Sequence, residues 1–466
     1  MRETAAYAWA CEEFRRADIE DGRWRRRLIE MGAQAARRPA GRVTEAFADD
    51  AGRQGAYGLL ESEAVTPDGV GAAVFAACAA RSAEYPFVYC PVDGTSLTLT
   101  DRSRSKNFGS VGSHSNGASG LKVINAMVLS PDGVPLGVSA QKWWVRSRRR
   151  RRKHHHELPP EQKETRHWIE VMQKTRETMA RYAPSTRCWF QLDREGDAWP
   201  LLTDAACDGH WFTVRSGRNR RVRLTGRRQS KLRAVLAKQP VAATTALEVR
   251  AAPHRKARTA TLVVRACTVT LDARDKRTDR RFPITLSAIQ VREVGSTPRG
   301  EKPIEWTLLT NHPIETVGDL VDVIDGYAMR WRIEELHRTW KSGACQTEDS
   351  QLRSPGAVIK WATILIAVAV RIERIKQLAR EQPDRPATDE FSPVEIRAAA
   401  LLRFGKAGEA HLRGRVPTIQ EVTLWIAKVG GYTGATSSGG PPGSVTIARG
   451  LKDVRAAAKA LDALSQ

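Results

Sequence analysis

The chain has 466 residues, enough to bury a sizeable core in two or three domains, and carries 75 Lys and Arg against 52 Asp and Glu. Its formal charge of +23 and pI near 10.2 point to a polyanionic partner, nucleic acid first and an anionic membrane surface second. The seven cysteines are scattered without a CxxC pair, which argues for reduced core thiols in a cytoplasmic protein and against zinc.

The opening MRETAAYAWACEEFRRADIEDGRW carries acids and no continuous apolar run, so it does not read as a secretory signal. Trp9, Phe14, Ile19, Leu28, Ile29 and Met31 are spaced for short amphipathic helices, with Arg23, Arg25, Arg26, Arg27, Arg37, Arg38 and Arg42 clustered among them. Residues 1–70 therefore read either as a helical DNA-docking domain whose arginines meet phosphates or as a solvated basic face.

FVYCPVDGTSLTLT, residues 87–100, reads as a strand broken at Asp93-Gly94, with a hairpin turn as the competing reading of that pair. The Gly/Ser-rich stretch from Ser103 to Gly120 lacks the GK[ST] ending of a phosphate-cradling loop. It reads as a flexible loop holding Arg104 and Lys106, with Arg102 just before it, near a nucleic-acid backbone. Leu121–Ser130, a Pro131-Asp132-Gly133 turn and Val134–Val145 predict a hairpin. The block RSRRRRRKHHHELPP, from Arg146 to Pro160, is either a DNA-contacting arm or a solvated loop, and His154 to His156 are either a metal site or a stray polar run.

A helix over residues 161–182 leads to a short buried strand, CWFQLD, ending in Asp193, which competes with Asp197 to cap the next helix. Trp211–Arg215 is another short strand, and residues 217–302 alternate in β-branched and basic residues as an antiparallel insertion with one cationic face. A further strand over Ile304–Thr310 leads into YAMRWRIEELHRTWK, residues 327–341. At about 100° per residue, Tyr327, Arg330, Glu334, Arg338 and Lys341 share one helical face, and Met329, Ile333, Leu336 and Trp340 another. Beyond Ser354 the chain reads as helical, and the apolar run Trp361–Val370, short of the roughly 20 residues a bilayer requires, reads as a buried helix.

Asp93, Asp193 and Glu334 stand out as carboxylates on two strands and a later helix. Strand-strand-strand-helix-strand-helix with acids so placed is the arrangement of a ribonuclease H-like core, predicting an α/β (α+β) fold. The expected regions are a helical domain over 1–70, a core over 71–353 with its β-rich insertion, and a helical domain over 354–466. Such a trio suits two Mg²⁺ ions about 3.5–4 Å apart, hard cations that take oxygen ligands, with Mn²⁺ as a substitute. Tyr327, Arg330 and Lys341 would flank the acids as phosphate contacts.

Tyr327-x2-Arg330-x3-Glu334-x6-Lys341 resembles the Tyr-Arg-Glu-Lys signature of the insertion-sequence-four superfamily of bacterial DDE cut-and-paste transposases. The longer string IDGYAMRWRIEELHRTWKSGA is similar to that of the transposon-five type. VDGTSLTL and LDREGDAW resemble the segments carrying that family's two catalytic aspartates, at Asp93 and Asp193. PIEWTLLTNHPIE resembles the segment whose tryptophan, here Trp306, stacks on a flipped base; a core role for Trp306 is the competing reading. Arg215, Arg26 and Arg27 complete the expected DNA-contacting set.

The resemblance extends weakly through most of the chain, including RQGAYGLLESEAV near the start and IAKVGGY, PPG and ARG near the end. It departs at the Arg148–Arg152 block, where a more acidic loop is expected, and at the terminal ARG, which lacks tryptophans. It implies nicking at the ends of a mobile element, hairpin formation and opening, and strand transfer into target DNA. It also implies a homodimer assembled on double-stranded DNA in the bacterial nucleoid. Competing readings are a non-catalytic inhibitor of transposition or domesticated relative, a structure-specific nuclease on the same fold, and a membrane-surface anchor through the arginine block.

Overall fold

The computed structural model describes residues 5–112, 117–147, 163–206, 209–223, 229–249, 257–274, 281–434 and 440–464. The block Arg148–Lys153 and the three histidines that follow it lie outside the described residues.

Five helices open the chain: α1 (Ala5–Phe14), α2 (Gly22–Arg37), α3 (Val43–Ala46), α4 (Asp50–Glu61) and α5 (Pro67–Ser82). Asp21, Asp49 and Thr66 each cap the helix that follows by accepting a backbone N–H, satisfying donors that the first turn leaves unpaired. On α2 the apolar stripe Leu28, Met31 and Ala35 is buried, and Arg23, Arg25 and Arg26 face solvent. Gly32 is needed beneath that stripe, because a Cβ there would stand 2.3 Å from the Phe14 ring.

The strands are β1 (Phe87–Thr98), β2 (Gly109–Ser110), β3 (Ser119–Leu129), β4 (Pro135–Trp144), β5 (Arg187–Leu192) and β6 (Trp211–Arg215). They are followed by β7 (Arg221–Arg223), β8 (Gln229–Lys231), β9 (Ala243–Val249), β10 (Arg258–Arg274), β11 (Arg281–Val294) and β12 (Glu305–Thr310). All twelve belong to one sheet. β4, β3 and β1 pair antiparallel, β1 pairs parallel with β5 and β5 with β6, and the antiparallel β12, β11 and β10 continue outward from β6. The fold is thus the expected mixture of α and β. The β-rich stretch is antiparallel as read from its alternation and extends the main sheet through the β11–β12 ladder.

Alternation along each strand divides the core. Val88, Cys90, Val92, Phe190 and Leu192 enter a cluster that includes Trp168 and Met172 of α6 (Arg166–Tyr182), Leu201 of α7 (Trp199–Ala206) and Leu232 of α8 (Leu232–Ala237). Tyr89 and Trp189 face the opposite cluster, with α9 (Val317–Met329), α10 (Trp331–Lys341) and α11 (Pro355–Glu381). α11 is long and apolar enough to cross a membrane, yet 83% of its most apolar window is buried within the protein, in keeping with the core-helix reading. Trp361 on α11 donates to the Gly41 carbonyl at 2.9 Å, and Trp340 on α10 donates to the Ala362 carbonyl at 2.9 Å, so α11 ties the N-terminal helices to α10. A third cluster joins α11 to α12 (Pro393–Phe404), α13 (Ile419–Val429) and α14 (Ser444–Leu464).

Two expectations are corrected. β1 is not broken at Asp93-Gly94: Asp93 pairs with Asn125 and Gly94 with Ile124, because β3 is long enough to continue the ladder past the end of β5. Asp93 therefore sits within a strand; only its parallel pairing ends, at Val92–Leu192. The helix through residues 327–341 is also not continuous: α9 ends at Met329, and α10 starts at Trp331 after a tightened turn at Arg330, whose amide donates to the Tyr327 carbonyl at 3.2 Å. The turn Pro131–Gly133 is as predicted, with Gly133 at φ +82° and its amide bonded to the Ser130 carbonyl.

Candidate active site

Period-two alternation carries the Tyr89 face of β1 on to Asp93, and the Trp189 face of β5 on to Asp193 one residue past the strand. α10 packs over that face, burying Ile333, Leu336 and Trp340 and placing Glu334 in its first turn. Two acids from the sheet and one from a helix are thereby brought to one edge of the core.

Arg330 joins them. Its Nη2 donates to Glu334 Oε1 at 2.7 Å, and its Nη1 stands 3.8 Å from Asp93 Oδ2. Burial pushes the Asp93 carboxyl up to about 7; the Arg330 cation opposes this, and the negative charges of Asp193 and Glu334 add to it. Such coupling places all three acids within one electrostatic neighbourhood. Asp193 also caps the 3-10 turn Arg194–Gly196, accepting the Glu195 amide at 2.7 Å. Asp197 takes a different part: buried, it accepts from Ser216, Gly217, Arg218 and Arg220, fixing the loop that leaves β6.

The flanking residues fall into two groups. The buried Tyr327 lies within the electrostatic reach of Arg215 and Arg330, and Trp306 meets the Tyr327 ring edge to face at 5.0 Å between centroids. Arg215 also donates to the Glu305 carbonyl at 3.1 Å. Trp306 is half-buried, between the two roles expected of it. Lys341 lies on the other side, its Nζ 3.4 Å from Thr95 Oγ1 and 3.6 Å from Glu348 Oε1. Glu348 in turn accepts the Thr98 amide at 2.8 Å. Neither Thr95 nor Glu348 carried a signal in the sequence. Arg26 and Arg27 are placed elsewhere, on α2: Arg26 is exposed, and Arg27 pairs with Glu30 at 3.1 Å.

Among the described residues, no group of three or more His, Cys, Asp or Glu side chains is gathered tightly enough to hold a metal ion. Asp93 and Glu334 meet through Arg330 instead, so an internal cation offsets the acids. The donor set itself suits a hard cation. It offers only carboxylate oxygens, one of them so short of solvation that its charged form is disfavoured until a cation balances it.

Residues 6–65 match the family model described as transposase DNA-binding. The match spans α1 to α4 and so includes the exposed arginines of α2. A transposase-type DNA-binding module is present at this end of the chain.

Proposed function

We propose that the chain is a DNA transposase of the DDE type, cutting phosphodiester bonds at the ends of a mobile element and joining them to target DNA. The grouping of Asp93 and Glu334 about Arg330, with the charge of Asp193 acting on Asp93, in a chain that also carries a transposase DNA-binding module, is the observation that carries this reading. The strand order β4-β3-β1-β5-β6, with one acid on β1 and one just past β5, supports a ribonuclease H-like core beneath the site.

In this mechanism, exposed arginines of α2, with Arg26 among them, attract the duplex through its phosphates and hold the end in register. Asp93, Asp193 and Glu334 would hold Mg²⁺, or Mn²⁺ in its place. Bound there, the metal would supply Lewis-acid activation of water or a 3′-hydroxyl and stabilise the leaving oxygen. Arg330 is placed to exchange Glu334 for a phosphate oxygen as the DNA backbone arrives, and a guanidinium makes that contact bidentate. Lys341, held by Thr95 and Glu348, presents a point charge on the opposite flank. Trp306 offers an aromatic surface next to Tyr327 on which an extruded base could stack. A dimer bridging both element ends would give each end one active site.

Cleavage of supercoiled plasmid carrying paired inverted repeats tests the proposal. Wild-type protein should cut only with Mg²⁺ or Mn²⁺, and Glu334→Gln should bind DNA without cutting; metal-dependent cutting that survives this change would refute the assignment. Products joined to target DNA separate a transposase from a nuclease, which leaves cut ends alone.

A further inference from the structure

A row of polar side chains lies buried beneath the candidate site. In strand register Asp93 opposes Asn125, and Asn125 opposes Gln141, so one row crosses β1, β3 and β4 on the face that α10 and α11 cover. Asn125 is fully buried, and Gln141, Thr363 on α11 and His337 on α10 are each no more than 8% exposed. His337 sits one turn after Glu334, on the same helix.

From Trp143 to His337 the hydrogen bonds run without a break, and their direction is fixed. The Trp143 indole N–H, which can only donate, stands 3.4 Å from Gln141 Oε1, and the Thr363 hydroxyl donates to the same oxygen at 3.0 Å. Gln141 must therefore turn its Nε2 to Asn125 Oδ1, at 2.8 Å. That leaves Asn125 Nδ2 to donate to His337 Nε2 at 2.9 Å, so Nε2 carries the lone pair and Nδ1 the proton. The neutral ring this requires is favoured by burial, which drives His337 down to about 3, helped by the Lys341 and Arg330 cations.

We propose that Asn125 and His337 are positioning residues for the acids: through this directional chain they set the height and rotation at which α10 presents Glu334 over Asp93. The proposal rests on the reading of those acids as metal-holding groups. A row anchored at one end by an indole and at the other by a helix allows one placement of α10, because sliding or turning the helix leaves buried amide groups without partners. Asp93 stands in the same row as Asn125, so the strand position of one acid and the helix position of the other refer to a common frame.

Four full-length proteins test this: wild type, His337→Gln, His337→Asn and His337→Leu. Glutamine has an acceptor at about the reach of Nε2, asparagine only at about that of Nδ1, and leucine none. Mn²⁺ binding followed by electron paramagnetic resonance should weaken by about 10–100-fold in His337→Leu and His337→Asn, as when an outer partner of a metal ligand is lost. It should return to within a few-fold of wild type in His337→Gln, with element-end DNA bound equally by all four. Nitrogen NMR of the histidine rings should assign the Nδ1–H tautomer to the signal that disappears in these variants. Wild-type Mn²⁺ affinity in His337→Leu, no difference between the two amide variants, or an Nε2–H tautomer would overturn the proposal alone. Absence of Mn²⁺ binding and of end cleavage by the wild type would instead overturn the transposase reading, and the proposal with it.

Discussion

Arg330 and the α2 arginines illustrate two uses of one side chain. The side chain of Arg330 is 11% exposed and pinned between two carboxylates, so its position is set by packing and its charge is largely spent inside the protein. Arg25 and Arg26 stand in solvent on the polar face of a helix whose other face is core. The buried cation acts over a few ångströms, in a place where dielectric screening is weak. The exposed ones act at a distance through a potential that salt screens. A total charge of +23 is therefore a property of the surface, and it says nothing of the site, where acids outnumber the cation that joins them.

If the two regions are as separate as this contrast implies, each can be damaged without the other. The largest effect is expected at the acids: Asp93→Asn should reduce end cleavage below detection while a gel-shift assay shows unchanged DNA binding. Arg330→Ala should lower single-turnover cleavage by about 10–100-fold, the usual result of losing a partner that orients a metal ligand. Mn²⁺ binding without DNA should tighten in that variant, because the internal cation no longer competes for Asp93 and Glu334. At the other region, the double change Arg25→Ala and Arg26→Ala should weaken DNA binding and flatten its salt dependence. The slope falls by about one for each phosphate that an arginine no longer neutralises. Cleavage at saturating DNA should be unchanged.

The smallest effect is one of pH. The Asp93 carboxyl is raised to about 7 and must lose its proton to take a cation. Mn²⁺ affinity should therefore rise as pH rises through about 7, with proton release detectable by calorimetry in two buffers of different ionisation enthalpy. Affinity that is flat in this range would place the cation elsewhere.

What could be read from the sequence was local. The two faces of α10 were legible because Ile333, Leu336 and Trp340 recur at helical spacing, and the Pro131–Gly133 turn because its residue types demand it. The stop at Arg330 was not, since Arg330 keeps helical backbone angles and the interruption lies in hydrogen bonding alone. Asp93-Gly94 misled for a related reason. An Asp-Gly pair favours a turn in isolation, and only the length of β3, set far along the chain, keeps it extended. Apart from the grouping of the three acids, partnerships across the chain left no trace. Nothing in the sequence ties Lys341 to Glu348 and Thr95, Trp361 to Gly41, or the β-rich insertion to β12, because an apolar stripe or an alternating strand specifies a face without specifying what covers it.

If Asp93, Asp193 and Glu334 serve one metal site, as proposed, affinity cleavage will report it. With Fe²⁺ in place of Mg²⁺, ascorbate and peroxide generate radicals that cut the polypeptide beside the bound ion. Convergence predicts cuts at three remote places in the chain, near residues 93, 193 and 334, all suppressed by excess Mg²⁺. Cuts confined to one of these places, or falling elsewhere, would contradict it.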